Sequence, residues 1–277
     1  MKWKSIVIGM GLSLTLTGCS WAESLNSFSS DIQTPDVEQE QSSKEKEKTE
    51  NSEQQKEETP QEENLPAAEE KEVEKKDSDG LTIVNEPKSI QVVVNKQRKL
   101  PEGYKPPDLV VPDVPFYFNE FHPKKQMREE AAKALEELFA GAKKNGIDLV
   151  AASGYRSYER QKSIYQQNVA ERGEKEANQF SAKPGTSEHQ TGLAMDVTSA
   201  QMAFKLKQSF RQTDEGEWLA NHAHEYGFVI RYLKGKSDIT GYSYEPWHLR
   251  YVGKDISTTI HNQEETLEEF FGLYPSS

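Results

Sequence analysis

The chain has 277 residues and a formal net charge of −12, enough for one large domain or two small ones. The charge is uneven: residues 31–79 hold 18 Asp/Glu against 7 Lys/Arg, a net of −11, so the remainder is nearly neutral. That remainder shows no basic stripe with interleaved aromatics, so no nucleic acid partner is expected. The one cysteine, Cys19, excludes an intrachain disulfide and a cysteine-rich metal ribbon, and any metal site must use His and carboxylate.

At the start, Lys2 and Lys4 precede an apolar run from Ile6 to Leu16, which reads as a secretory signal too short to span a bilayer. The run ends in Leu16-Thr17-Gly18-Cys19, which resembles a bacterial lipobox. That resemblance implies a lipidated Cys19 at the mature N-terminus and a location on the extracytoplasmic face of the cell membrane. An ordinary cleaved signal with a chance cysteine is the alternative. Residues 20–84 read as an acidic tether: Asp31 to Asp79 contains no Phe, Trp or Tyr and cannot bury enough apolar surface to offset its ordering entropy.

Order is expected from about Leu81. Ile90 to Val94 is a β-rich run, and Pro101, Pro106, Pro107, Pro112 and Pro115 make residues 99–115 an extended wrap. A helix is predicted from Pro123 to Lys144, with Met127, Ala131, Leu135, Leu138, Phe139 and Ala142 on one apolar face and Asn145-Gly146 as its stop. Residues 147–153 read as a buried strand and 158–172 as a helix capped by Ser157. Residues 173–188 read as a polar loop, 193–198 as a strand, 216–226 as a helix, 228–232 as a strand, and 247–252 as the last strand. Residues 254–277 form a C-terminal extension with a short amphipathic piece from Leu267 to Phe271. The mixed order predicts an α+β domain over 85–253, a small, mainly antiparallel sheet flanked by helices, and a monomer.

Six histidines are available. His222 and His224 lie two apart on a predicted helix and point to different faces. His122 sits at a helix start and His261 in a polar tail. His189 differs, because it lies on a loop that ends at Gly192, just before the strand carrying Asp196, so both side chains can reach one point. His248 opens another strand and can supply a third ligand, and Glu245 lies three residues before it. Two imidazoles, a carboxylate and a nearby second carboxylate are the parts of an open zinc site with its own general base. By spacing alone, Asp196 as a sheet-edge aspartate and His248 as a core histidine remain open. Arg156 falls at a strand-to-helix turn, where side chains often point into a site, although surface exposure is the usual fate of an arginine.

Three motifs carry a resemblance over roughly residues 85–253. Ser187-x-His189-x-x-Gly192-x-Ala194-x-Asp196 resembles the zinc motif of the VanY-type D-alanyl-D-alanine carboxypeptidases, which share the Hedgehog/DD-peptidase fold. Glu245-Pro246-Trp247-His248 is similar to their second motif, and Ser153-Gly154-Tyr155-Arg156-Ser157 to their substrate-binding turn. The resemblance implies one zinc ion on His189, Asp196 and His248, with Glu245 as general base. It implies that Arg156 stabilises the carbonyl oxygen or binds substrate, and that Gln161 and Ser187 help hold the peptide's end. The implied reaction removes the C-terminal D-alanine from peptidoglycan stem peptides ending in D-Ala-D-Ala. The alternatives are L,D-carboxypeptidase action on tetrapeptide stems, an amidase or endopeptidase acting on cross-links, and a non-catalytic wall-binding lipoprotein.

Overall fold

A computed structural model describes residues 74–274, apart from the side chains at 179 and 180. The expected export signal, Cys19 and most of the tether lie outside the described residues. The chain is already packed at Glu74, eleven residues before the expected domain start at 85. Arg98 donates to both carboxylate oxygens of Glu74, at 2.6 and 2.5 Å, and Lys99 pairs with Asp77 at 2.7 Å.

Two-residue strands open the fold. β1 (Thr82–Ile83) pairs in parallel with β2 (Arg98–Lys99), and β3 (Leu109–Val110) pairs antiparallel with β4 (Met127–Arg128). The run Ile90 to Val94 is not a strand. Its backbone acceptors are taken by side chains instead: Arg250 donates to the carbonyls of Ile90 and Val92, and Arg98 to that of Val93. Val92, Val93 and Val94 are nonetheless buried, so the β-rich composition reports core packing and not strand pairing.

The expected helix from Pro123 begins later. Pro123–Lys125 is a 3-10 turn capped by His122, β4 follows, and α1 runs Glu129–Lys144. The carbonyls of Lys124 and Gln126 face outward to accept from Gly154 and Tyr155 N–H, which an α-helix over these residues would not allow. The expected apolar face is buried throughout, Met127 included. β5 (Val150–Ser153) leads through Ser157 into α2 (Tyr158–Arg172), and the Ser157 hydroxyl accepts from Arg160 N–H at 3.2 Å. α3 (Glu174–Phe180) occupies what reads in sequence as loop.

β6 (Ala194–Thr198) is buried along its length. α4 (Asp214–His222) continues as a 3-10 turn to Tyr226, and β7 (Phe228–Tyr232) follows. The short α5 (Ser237–Thr240) lies between β7 and β8, and β8 spans Glu245–Tyr251. α6 (Lys254–Gln263) and α7 (Leu267–Phe270) close the described chain, α7 with a Thr266/Glu269 capping box. No helix of the described residues is long and apolar enough to cross a membrane.

The central sheet is fully antiparallel, in the order β5-β6-β8-β7. The α+β architecture with a small antiparallel sheet flanked by helices is therefore as the sequence predicts. A larger core joins α1 to the sheet through Leu135, Leu138, Met195, Val197 and Leu249. A smaller cluster of Val93, Val229, Val252, Ile260 and Leu267 seats the C-terminal helices. Burying such side chains contributes roughly 1.5–3 kcal/mol each, so the last two helices belong to the fold.

Candidate active site

Strand register brings the site together. Asp196 of β6 lies directly opposite His248 of β8, and opposite residues on neighbouring antiparallel strands share one face of the sheet. His189 comes from a 3-10 turn, Glu188–Thr191, that ends at Gly192 with φ +71°. A left-handed residue there reverses the chain into β6, and glycine adopts it without a Cβ penalty. Glu245 opens β8 and pairs with Tyr232 of β7 beyond a register shift. Residues three apart on a regular strand would face opposite ways, so this irregular end of the ladder is where Glu245 can turn toward His248.

His189 Nε2 lies 3.4 Å from one Asp196 oxygen and His248 Nδ1 lies 3.1 Å from the other. Ligand atoms from these three residues fall within 4.8 Å of one another, and all three side chains are buried. Glu245 Oε2 stands 3.8 Å from His248 Nδ1. Each imidazole is anchored through its outer nitrogen. His189 Nδ1 is 2.8 Å from the Gly154 carbonyl, and His248 Nε2 is 3.4 Å from Glu188 Oε2. The inner nitrogens are thus left to face Asp196. Two imidazoles held in this way, with a carboxylate, fit a zinc ion that keeps an open position.

The electrostatics sort the titratable groups. Burial pushes His189 down to about 3. Burial also works against charge on His248, but its hydrogen bonds to Asp196 and Glu188 outweigh that and hold it up at about 9. Burial pushes the Glu245 carboxyl up to about 7, partly opposed by His248, close to the value that suits a proton acceptor at neutral pH. Arg156 is lowered by burial, against the attraction of Asp196 and Glu245.

A cavity of about 250 Å³ opens over these groups, lined also by Arg156, Ser187, Leu206, Tyr232, Tyr242 and Trp247. Arg156 and Ser187 thus stand where the sequence expects them. Gln161 does not line the cavity. It is 1% exposed, accepts from Arg156 Nη1 at 3.0 Å and donates to the Ala182 carbonyl at 2.6 Å, so it braces the guanidinium from behind. A larger cavity of about 520 Å³, lined by Arg211, His224, Lys234 and His261 among others, shares no residue with the site. The histidines set aside in sequence are elsewhere: His122 caps a turn, His222 meets Glu225, and His224 stacks on His261. Tyr232, Tyr242, Leu206 and Glu188 were not anticipated. Glu188 alone carried a signal, being the unmatched acid between Ser187 and His189.

Gly154 is a close-packed point beside the site. A Cβ there would lie 2.5 Å from the Gln126 carbonyl and 2.8 Å from Met195 Cε. Gly154→Ala is expected to cost about 1–3 kcal/mol and to displace the carbonyl that orients His189. Thermal unfolding together with the NMR resonance of the His189 ring proton checks both effects.

A sheet that sets two imidazoles and a carboxylate across a groove, with a second carboxylate and a guanidinium at its edge, is the type of centre expected of a metal-dependent hydrolase. The family model "VanY: D-alanyl-D-alanine carboxypeptidase" matches residues 124–254. YodJ of Bacillus subtilis (strain 168) is 43% identical over 273 residues, 98% of this chain and 96% of its own. Among solved structures, the LdcB LD-carboxypeptidase is 50% identical with a TM-score of 0.70, covering 72% of this chain and 94% of its own. A variant of the vancomycin-resistance D,D-pentapeptidase VanY, in complex with Zn(II), is 32% identical with a TM-score of 0.54, covering 65% and 98%. The chain belongs to the VanY family of D-alanyl-D-alanine carboxypeptidases, and its activity class is that of a carboxypeptidase acting on peptidoglycan peptides.

Proposed function

We propose that this chain is a zinc-dependent carboxypeptidase that removes the terminal D-alanine from peptidoglycan stem peptides, with the tetrapeptide stem as its substrate. The observation that carries the zinc reading is the convergence of His189, Asp196 and His248 within 4.8 Å. The preference for the tetrapeptide rests on likeness to LdcB at 50% identity, against 32% for VanY. D,D-cleavage of the pentapeptide, which the family motifs suggest, is the second reading.

In this proposal His189, Asp196 and His248 hold the ion. A bound zinc supplies Lewis acidity, polarising the scissile carbonyl and easing deprotonation of water. Glu245 accepts the proton of the attacking water and delivers it to the leaving amine, for which its partly exposed carboxylate beside His248 is placed. Arg156 offers a fixed positive charge to the developing oxyanion or to the substrate carboxylate, and Gln161 keeps that guanidinium from swinging away. Ser187, 4% exposed at the cavity wall, contacts the peptide's end. Export and lipidation at Cys19 would hold the enzyme, as a monomer, on the extracytoplasmic membrane face. The mass of the mature N-terminus tests that, and an unmodified Cys19 would refute it.

Dialysis against a chelator is expected to abolish hydrolysis of synthetic tetra- and pentapeptide stems, and one equivalent of zinc to restore it. Mass spectrometry of the products tells the two readings apart. Loss of one D-alanine from the tetrapeptide supports the first, and loss from the pentapeptide alone supports the second. Undiminished activity in chelator would remove the zinc reading.

A further inference from the structure

We propose that Glu188 is a positioning residue for His248, and that the C-terminal segment enters the site through it. Glu268 of α7 holds Arg231, Arg231 holds Glu188, and Glu188 holds the outer ring nitrogen of His248. The inference rests on His248 being a zinc ligand, as proposed above.

The contacts form one unbroken chain. Glu188 Oε1 accepts from Arg231 Nε at 2.7 Å and from Arg250 Nη1 at 2.8 Å. With that oxygen clamped by two guanidiniums, the carboxylate cannot rotate, and Oε2 is left pointing at His248 Nε2, 3.4 Å away. Arg231 is pinned at its other edge by both oxygens of Glu268, at 2.8 and 2.6 Å. Asn95 in turn donates to Glu268 at 3.0 Å. The side chains of Arg231, Arg250, Glu188 and Glu268 have no solvent exposure.

Two positive and two negative charges balance within the core, so the group can be buried without a net ion. Balance alone, however, does not require a free oxygen to face a histidine. An imidazole that ligates a metal through one nitrogen is oriented, and its tautomer set, by the acceptor on the other. His189 uses a backbone carbonyl for this, whereas His248 uses a carboxylate. Asn95 and Glu268 both lie outside residues 124–254, the stretch matched by the family model. Flanking segments of this chain therefore brace a ligand of the central site.

The test is zinc affinity of the full chain, measured by competition with a chromophoric chelator, with thermal unfolding of the metal-free protein recorded alongside. Glu188→Gln is expected to weaken zinc binding by about 10- to 100-fold, the usual effect of losing such a partner. Glu268→Gln, acting through Arg231, is expected to weaken it by roughly 2- to 30-fold. Folded variants that bind zinc as tightly as the parent chain would overturn the proposal and leave charge balance as the only role. Should either variant fail to fold, nitrogen-15 NMR of the zinc-loaded parent chain decides. A protonated, slowly exchanging Nε2 on His248 is expected, and metal ligation through Nε2 would overturn it. A parent chain that binds no zinc overturns the functional reading itself, so the two failures are distinguishable.

Discussion

Glu245→Gln is expected to lower kcat by about 10²- to 10⁴-fold while leaving zinc content near that of the parent chain. The size follows from what a positioned proton acceptor contributes. The amide is nearly isosteric with the carboxylate, so the cavity keeps its shape, but it has no site to receive a proton from water. Burial pushes the Glu245 carboxyl up to about 7, a basicity that a glutamine cannot supply. Glu245 is not one of the three converging candidate ligands, which is why the metal should stay. Steady-state kinetics on the tetrapeptide and elemental analysis of the same sample make the comparison. A variant with parent-like kcat would show that Glu245 has no role in proton transfer. One that lost zinc in step with activity would show that Glu245 is a ligand after all.

Arg231→Ala is expected to cost about 3–5 kcal/mol of folding stability, the usual result of stripping one partner from a buried ion pair. Typical domains have only about 5–15 kcal/mol in total, so this is a large fraction. The reason is local: Glu268 makes two of its three hydrogen bonds with this guanidinium, and neither carboxylate of the group has any exposure to water. Glu188 would keep Arg250, whereas Glu268 would keep only Asn95. A double replacement, Arg231→Met with Glu268→Met, is expected to recover much of the loss, because it removes a buried charge of each sign. Urea unfolding midpoints for the parent, the single and the double variant test this. Equal losses in both variants would mean that the cost is packing and not unpaired charge.

These two expectations differ in how early they were visible. Glu245 stood out in sequence from its place three residues before His248. Arg231 gave no sequence signal at all, since charged residues default to the surface and an isolated arginine in a strand names no partner. Its partners lie 37 and 43 residues away along the chain.

Local chemistry determined much by itself. The cap at Ser157, the stop at Asn145-Gly146, the strand of β6 and the apolar run of β7 each depend on residues within a few positions, and each element formed where it was expected. The apolar face of α1 was legible for the same reason, because a 3.6-residue period needs no tertiary information. Elements whose hydrogen bonds are decided at a distance were not. Ile90 to Val94 has strand composition but gives its carbonyls to arginines. The turn at Pro123 stops short of α1 because Gly154 and Tyr155 claim its carbonyls. α3 is too polar to show an apolar face.

The site divides in the same way. The sequence by itself determined which side chains were candidates, since few histidines were available and the motif resemblance singled out His189, Asp196 and His248. Only the tertiary structure decided that they meet. Asp196 faces His248 because β6 and β8 pair in that register, and a shift of one residue would turn either side chain to the opposite face. Register is set by the packing of the whole sheet against α1 and the C-terminal helices. No short motif holds that information, and this is the physical reason the candidate ligands were legible while their meeting, and the buried charges that steady it, were not.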